Sequence, residues 1–148
     1  GVKKIGSTRG TSSHQHSPFV VIAGKDANED AGDCYGISLL YSGSFNCEVE
    51  KDQTDQVRLN MGVQDEMFEY VLYPESEFVA PEVVMVYSPD GFADMSHKMH
   101  DVVRYNICRG EYKTKRRPIL INSWEAVYFD FNGDDIVNIA KQASELGV

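Results

Sequence analysis

Apolar and polar positions alternate twice in close succession. Phe45, Cys47 and Val49 fall on one side of an extended segment, with Asn46, Glu48 and Glu50 on the other. Val57, Leu59 and Met61 then oppose Arg58 and Asn60. A period of two marks half-buried strands. Joined through residues 51–55, the two runs predict an antiparallel hairpin with one wet face. Residues 19–23 form a β-branched and aromatic run that stops at Gly24. Residues 35–41 are again apolar and close on Ser42-Gly43-Ser44. Residues 68–73 and 78–87 predict two more strands around Pro74-Glu75-Ser76, and Pro81 implies an edge or a bend in the second. Strands this closely spaced, with turn residues between them, predict an antiparallel sandwich.

After Ser88-Pro89-Asp90 the period changes. Met95, Met99, Val102, Val103, Asn106 and Ile107 recur at helical spacing, with Asp90 or Asp94 at the start and Arg109-Gly110 at the stop. This predicts a helix of about four to five turns. Residues 119–121, Ile-Leu-Ile, read as a short buried strand. A second helix is predicted over residues 134–146, with Asn132 near its cap and Asp134 and Asp135 in its first turn. Its apolar stripe is Ile136, Ile139, Ala140, Ala143 and Leu146, and Gly147 suits the position after the last turn.

The pattern divides the chain into three parts. Residues 1–89 read as part of a β-sandwich domain, 90–115 as a linker helix and connector, and 116–148 as one strand-to-helix unit of a parallel α/β domain. The fold class is therefore mixed: antiparallel β, then α/β. A parallel strand needs parallel neighbours to satisfy its backbone, and no second one is in sight. The chain also starts at Gly1 rather than Met. Both points lead to the expectation that it is a piece of a longer protein.

Composition narrows the function classes. The chain has 148 residues, 42% hydrophobic and 25% charged, which suits a globular domain with a core. The net charge of −9 disfavours a general role on nucleic acid or an anionic membrane. The basic run Lys113, Lys115, Arg116 and Arg117 reads as a solvated connector. Cys34, Cys47 and Cys108 are odd in number and lack metal spacing, so a reducing, cytoplasmic compartment is expected. Cys108 is expected on the first helix as a small core residue. Neither a signal peptide nor a membrane span is evident.

Several groups could carry chemistry. His14 and His16 are two apart and could ligate together on an extended segment, but a loop whose imidazoles hold nearby backbone is preferred. His97 and His100 share a helix face and read as surface or packing residues. Asp26, Glu29, Asp30 and Asp33 form a loop cluster whose spacing is not that of an EF-hand, so a solvated turn is preferred. Asn122, Trp124 and Glu125 follow the Ile-Leu-Ile run. Ligands sit at strand carboxyl ends in parallel α/β folds. The Trp124 ring could stack on a sugar while Asn122 and Glu125 bond its hydroxyls. Alternatively Trp124 caps a core, with Glu125 paired to an arginine. The residues alone leave both readings open.

The run Arg117-Pro118-Ile119-Leu120-Ile121-Asn122-Ser123-Trp124-Glu125-Ala126-Val127-Tyr128-Phe129-Asp130-Phe131 resembles the start of the catalytic barrel of family 36 glycoside hydrolases, the microbial α-galactosidases. Residues 10–19, Gly-Thr-Ser-Ser-His-Gln-His-Ser-Pro-Phe, and 81–88, Pro-Glu-Val-Val-Met-Val-Tyr-Ser, resemble that family's N-terminal β-supersandwich. The resemblance implies a supersandwich portion, a linker helix and the first βα unit of a (β/α)8 barrel. It implies hydrolysis of terminal α-linked galactose from oligosaccharides such as raffinose and melibiose, by a retaining mechanism with two aspartates. It implies no cofactor or metal, and a homo-oligomeric parent, a tetramer. The family's Asp-Asp-Gly-Trp and Lys-Trp-Asp motifs have no match here, and Asp130, Asp134 and Asp135 fit neither. No catalytic residue is therefore assigned, and Trp124, Glu125 and Asn122 are expected in the pocket wall. Two further readings are a non-catalytic carbohydrate-binding or assembly module, and a galactosyl-transferring relative of the raffinose-synthase type.

Overall fold

The computed structural model of the chain describes residues 1–66 and 68–148. These form two compact units, Gly1–Asn106 and Ile107–Val148. Among the described residues no helix is long and apolar enough to cross a membrane.

The first unit holds two antiparallel three-stranded sheets. One contains β1 (Val2–Ser7), β4 (Phe45–Lys51) and β5 (Val57–Val63) in the order β1-β4-β5. The other contains β2 (Phe19–Ala23), β3 (Cys34–Leu39) and β6 (Val83–Ser88) in the order β2-β3-β6. The alternating hairpin forms as expected, with Cys47 opposite Met61 and Val49 opposite Leu59. Its apolar face meets the second sheet: Leu39, Phe45 and Cys47 are buried together, and Ile5, Val20, Val49, Leu59 and Met61 pack around them. The other face is wet and carries the Lys4–Glu48 and Arg58–Glu50 ion pairs.

Strand β1 was not legible in the pattern. Lys3 and Lys4 interrupt its apolar character, and its place is fixed by pairing with β4 from Val2–Glu50 to Ser7–Phe45. The expected strand over residues 68–73 and the first part of that over 78–87 form no ladder. Residues 68–80 are exposed and close on themselves instead, Tyr70 packing on Phe78 at 4.8 Å. Regular pairing begins only at Val83, after Pro81.

Helix α1 (Gly91–Val102) lies on the second sheet, with Met95 buried against Gly36 and Val86. It runs into a π-helical turn, Val103–Ile107, so the expected long helix is an α-helix with a widened last turn. Asp90 precedes the helix but its side chain caps nothing. Backbone carbonyls of the preceding acidic loop do this instead. The amides of Phe92 and Ala93 donate to the carbonyls of Asn28 and Glu29 at 3.0 Å each, and that of Gly91 to Gly32 at 3.0 Å. Cys108 lies beyond the helix, half-buried, rather than on it.

The second unit contains α2 (Trp124–Val127) and α3 (Gly133–Glu145). Asn132 caps α3 in a full capping box with Asp135, and Gly147 follows with φ of 87°. Residues 119–121 form no ladder among the described residues. Leu120 is 83% exposed. The stripe of α3 is likewise uncovered: Ile136, Ala140 and Leu146 are exposed, and Ile139 and Ala143 only half-buried. A β-run read as buried needs neighbouring strands, and among the described residues none pairs with this one.

Candidate functional site

Residues 122–129 build a compact polar and aromatic turn. The side chain of Asn122 folds forward, and its Oδ1 accepts the Trp124 amide at 2.8 Å. This Asx turn starts α2, because Ser123 at the cap position makes no side-chain bond. Helical spacing then brings Tyr128 beside Trp124, ring centroids 5.5 Å apart and edge to face. Phe129 meets the same indole edge-on at 4.6 Å. The hydroxyl of Tyr128 donates to Glu125 Oε2 at 3.3 Å. Trp124 stays 44% exposed.

Tyr128 adopts φ of 47°. A left-handed conformation in a bulky residue costs about 1–3 kcal/mol and persists where the surroundings hold it. Here the amide of Tyr128 closes α2 on the Trp124 carbonyl at 2.8 Å. The geometry brings the three expected residues together, each with a defined local contact: Asn122 as turn former, Trp124 against the rings of Tyr128 and Phe129, and Glu125 as partner of a tyrosine. Glu125 pairs with that hydroxyl rather than with an arginine. The sequence reading missed Tyr128 and Phe129 as members of the cluster. The spacing of four from Trp124 to Tyr128 was the available signal.

The other candidates separate. His16 Nδ1 lies 3.3 Å from the amide of Gly6 and 3.1 Å from its carbonyl, so this imidazole holds backbone as expected. His97 and His100 sit 6.3 Å apart, ring centre to ring centre, on the outer side of α1. Asp33 leaves its loop to accept the Tyr87 hydroxyl at 2.6 Å, which pushes the phenol up to about 12. Asp94 binds Lys98 and accepts from Ser88 Oγ, each at 2.6 Å, and both contacts hold its carboxyl below the usual range. Cys34 is fully buried and donates to the Gly91 carbonyl at 3.3 Å. Burial, and then the nearby Asp94 and Asp33, push its thiol up.

Two family models cover the chain in order. Residues 1–73 match the glycosyl hydrolase family 36 N-terminal domain, and residues 77–148 match the melibiase model. The chain is 49% identical over all its residues to the bifunctional α-galactosidase/sucrose kinase AgaSK of Mediterraneibacter gnavus. It is 47% identical to the α-galactosidase AgaA of Geobacillus stearothermophilus. It spans 16% and 20% of the length of these two relatives. The solved galactosidase domain of AgaSK superposes over the whole chain with a TM-score of 0.93, the chain covering 21% of it. AgaA superposes with a TM-score of 0.92, also with 21% covered. A substituted AgaA in complex with stachyose superposes with a TM-score of 0.90.

Proposed function

The chain belongs to glycosyl hydrolase family 36, and on that premise we propose that it is the junction between sandwich and barrel in a retaining α-galactosidase. The observation that carries this is continuity. Two consecutive family models, sandwich then melibiase, run through the chain in the order of its relatives, and the backbone follows theirs throughout. The substrates are oligosaccharides with terminal α-linked galactose. Raffinose and stachyose are bound in structures of substituted AgaA, which are 46% and 47% identical to this chain.

In a retaining glycosidase one carboxylate attacks the anomeric carbon and a second protonates the departing oxygen, then activates water. No acidic residue of this chain sits in a family motif for either task, so both aspartates lie elsewhere in the protein. The chain's own contribution is a wall. The open part of the Trp124 ring packs on the C–H face of galactose, and the strained turn at Tyr128 and the Asn122 cap hold that ring in place. The protein works in the cytoplasm as a homo-oligomer; two buried thiols, Cys34 and Cys47, agree with a reducing compartment.

The test is product analysis by the full-length protein on raffinose. Release of galactose, first as the α-anomer, is the expected result. Transfer of galactose to a second sugar without free galactose would point to the synthase type, and no turnover of any α-galactoside would end the proposal. The 148 residues alone should not cleave a chromogenic α-galactoside.

A further inference from the structure

Tyr128 stands in a backbone conformation that suits glycine. Its φ is 47° and its ψ −120°, and a bulky side chain is rarely held there. Strain of this kind persists where the surroundings over-determine it, and it gathers at sites that clamp ligands. Three ties hold this residue, and all lead to Trp124 or to its neighbour. The Tyr128 amide donates to the Trp124 carbonyl at 2.8 Å. Its ring lies edge to face with the indole, centroids 5.5 Å apart. Its hydroxyl donates to Glu125 Oε2 at 3.3 Å.

The reversal at Tyr128 decides where the next ring goes. A helix continued through Tyr128 would carry Phe129 about 140° round the axis from Trp124, out of reach of the indole. The positive φ ends α2 and turns the chain back, and the Asp130 amide donates to the Val127 carbonyl at 3.1 Å. Phe129 then meets the indole at 4.6 Å with the two rings almost perpendicular, at 89°. Two rings therefore hold Trp124, one through helical spacing and one through the reversal. Glycine in this place would adopt the same backbone without strain, but it would supply neither ring nor hydroxyl. Tyrosine destabilises the turn and fixes the indole.

We propose that Tyr128 is a positioning residue for substrate binding, which acts only through Trp124, and that its strained turn exchanges fold stability for grip on the sugar. The inference rests on the α-galactosidase reading and deepens it by naming what sets the wall. Stacking on a sugar needs the face of the indole turned to the C–H groups. An indole free to turn loses rotamer freedom when substrate binds, and that loss weakens binding. Two rings placed edge-on remove this freedom beforehand. Their effect therefore falls on KM, while kcat is set by the carboxylates. The hydroxyl bond to Glu125 is long for an O–H donor, so the ring of Tyr128 carries more of the positioning than its hydroxyl.

The experiment uses the full-length protein with raffinose as substrate and Trp124→Ala as reference. Tyr128→Gly and Tyr128→Ala should each raise KM about fivefold, with kcat changed far less. Tyr128→Phe, which keeps the ring, should recover most of that loss. Tyr128→Gly should unfold at a higher temperature than Tyr128→Ala, because glycine alone is unstrained at this φ. In the Trp124→Ala background, Tyr128→Gly should raise KM no further. A crystal structure of the Tyr128→Gly protein should show the indole turned from its parental rotamer or spread over several. A parental KM in Tyr128→Gly, a further rise in the double variant, or an unmoved indole beside a raised KM would each overturn the proposal. So would equal unfolding temperatures for Tyr128→Gly and Tyr128→Ala. A parental KM in Trp124→Ala strikes the wall itself and this inference with it, whereas a raised KM there beside a parental one in Tyr128→Gly strikes this inference alone. Absence of turnover on any α-galactoside would end the proposed function, and the crystal comparison would still decide whether Tyr128 sets the indole.

Discussion

The thioether of Met95 stands where a side chain on Gly36 would project, with Met95 Cγ and Val86 Cγ2 each 3.2 Å from that point. Helix α1 therefore seats on the second sheet through a missing Cβ. The approach of helix to sheet is set by a glycine in the centre of β3, which has no special backbone angle to explain its presence. Gly36→Val should overpack this contact and cost about 1–3 kcal/mol. Met95→Ala should cost about 2 kcal/mol or more by leaving a cavity. In the Met95→Ala background the valine has room, so its cost should shrink by about 1 kcal/mol. Urea unfolding of the four proteins measures this, and strictly additive costs would show that the two positions do not share the space.

Gly91 carries a heavier constraint. It has φ of +82°, and an added Cβ would lie 2.5 Å from the Ala31 amide nitrogen and the Asn28 carbonyl oxygen. These are backbone atoms of the loop that caps α1, so they cannot swing aside. Gly91→Ala should cost well above the roughly 1–2 kcal/mol of left-handed strain alone. Gly10→Ala is the control, since Gly10 also has positive φ, +79°, but meets nothing within 4 Å. Equal shifts in unfolding midpoint for the two would contradict the packing account.

Asp94 links stability to acid. Its carboxyl is held below the ordinary aspartate value of 3.8, first by Lys98 and then by Ser88. A depressed folded value favours the folded state above pH 3.8, and this support is lost as pH falls through the folded value. Asp94→Asn should therefore unfold at a lower temperature than the parent at pH 6, and the two melting curves should draw together as pH falls below 3.8. A gap that stays constant over this range would assign the effect to packing instead.

Trp124 is the side chain on which the proposed pocket wall depends. In the full-length enzyme, Trp124→Ala should raise KM for raffinose about tenfold, the scale of one aromatic contact of roughly 1.4 kcal/mol. Trp124→Phe should recover part of this. Glu125→Gln keeps an acceptor for the Tyr128 hydroxyl and should change KM less than the alanine at 124. Unchanged steady-state constants for Trp124→Ala would remove it from the wall.

The helix cap offers a simpler check. Asn132 Oδ1 accepts the amides of Asp134 at 2.8 Å and Asp135 at 3.3 Å, and Asp135 Oδ2 answers on the Asn132 amide at 2.9 Å. Asn132→Ala should lower helix stability by about 1 kcal/mol. Hydrogen exchange in the first turn of α3 reads this locally, and unaltered protection would mean that the aspartates alone suffice.

Local pattern carried much of this fold. The period-two hairpin, the cap at Asn132 and the glycine after Leu146 are decided within a few residues, by side-chain alternation and by hydrogen bonds to neighbouring amides. The sequence by itself therefore determined the antiparallel hairpin, the two main helices and, through its long matching runs, the family. Tertiary structure alone decided the rest. Lys3 and Lys4 conceal a strand that exists because β4 offers it a ladder. Residues 119–121 look like a strand and form none, because among the described residues no neighbour supplies the other half of its hydrogen bonds. The start of α1 is capped by carbonyls of a loop some sixty residues earlier, and Met95 finds its seat at Gly36. Contacts between distant residues leave no period in a sequence, so only the folded chain shows them.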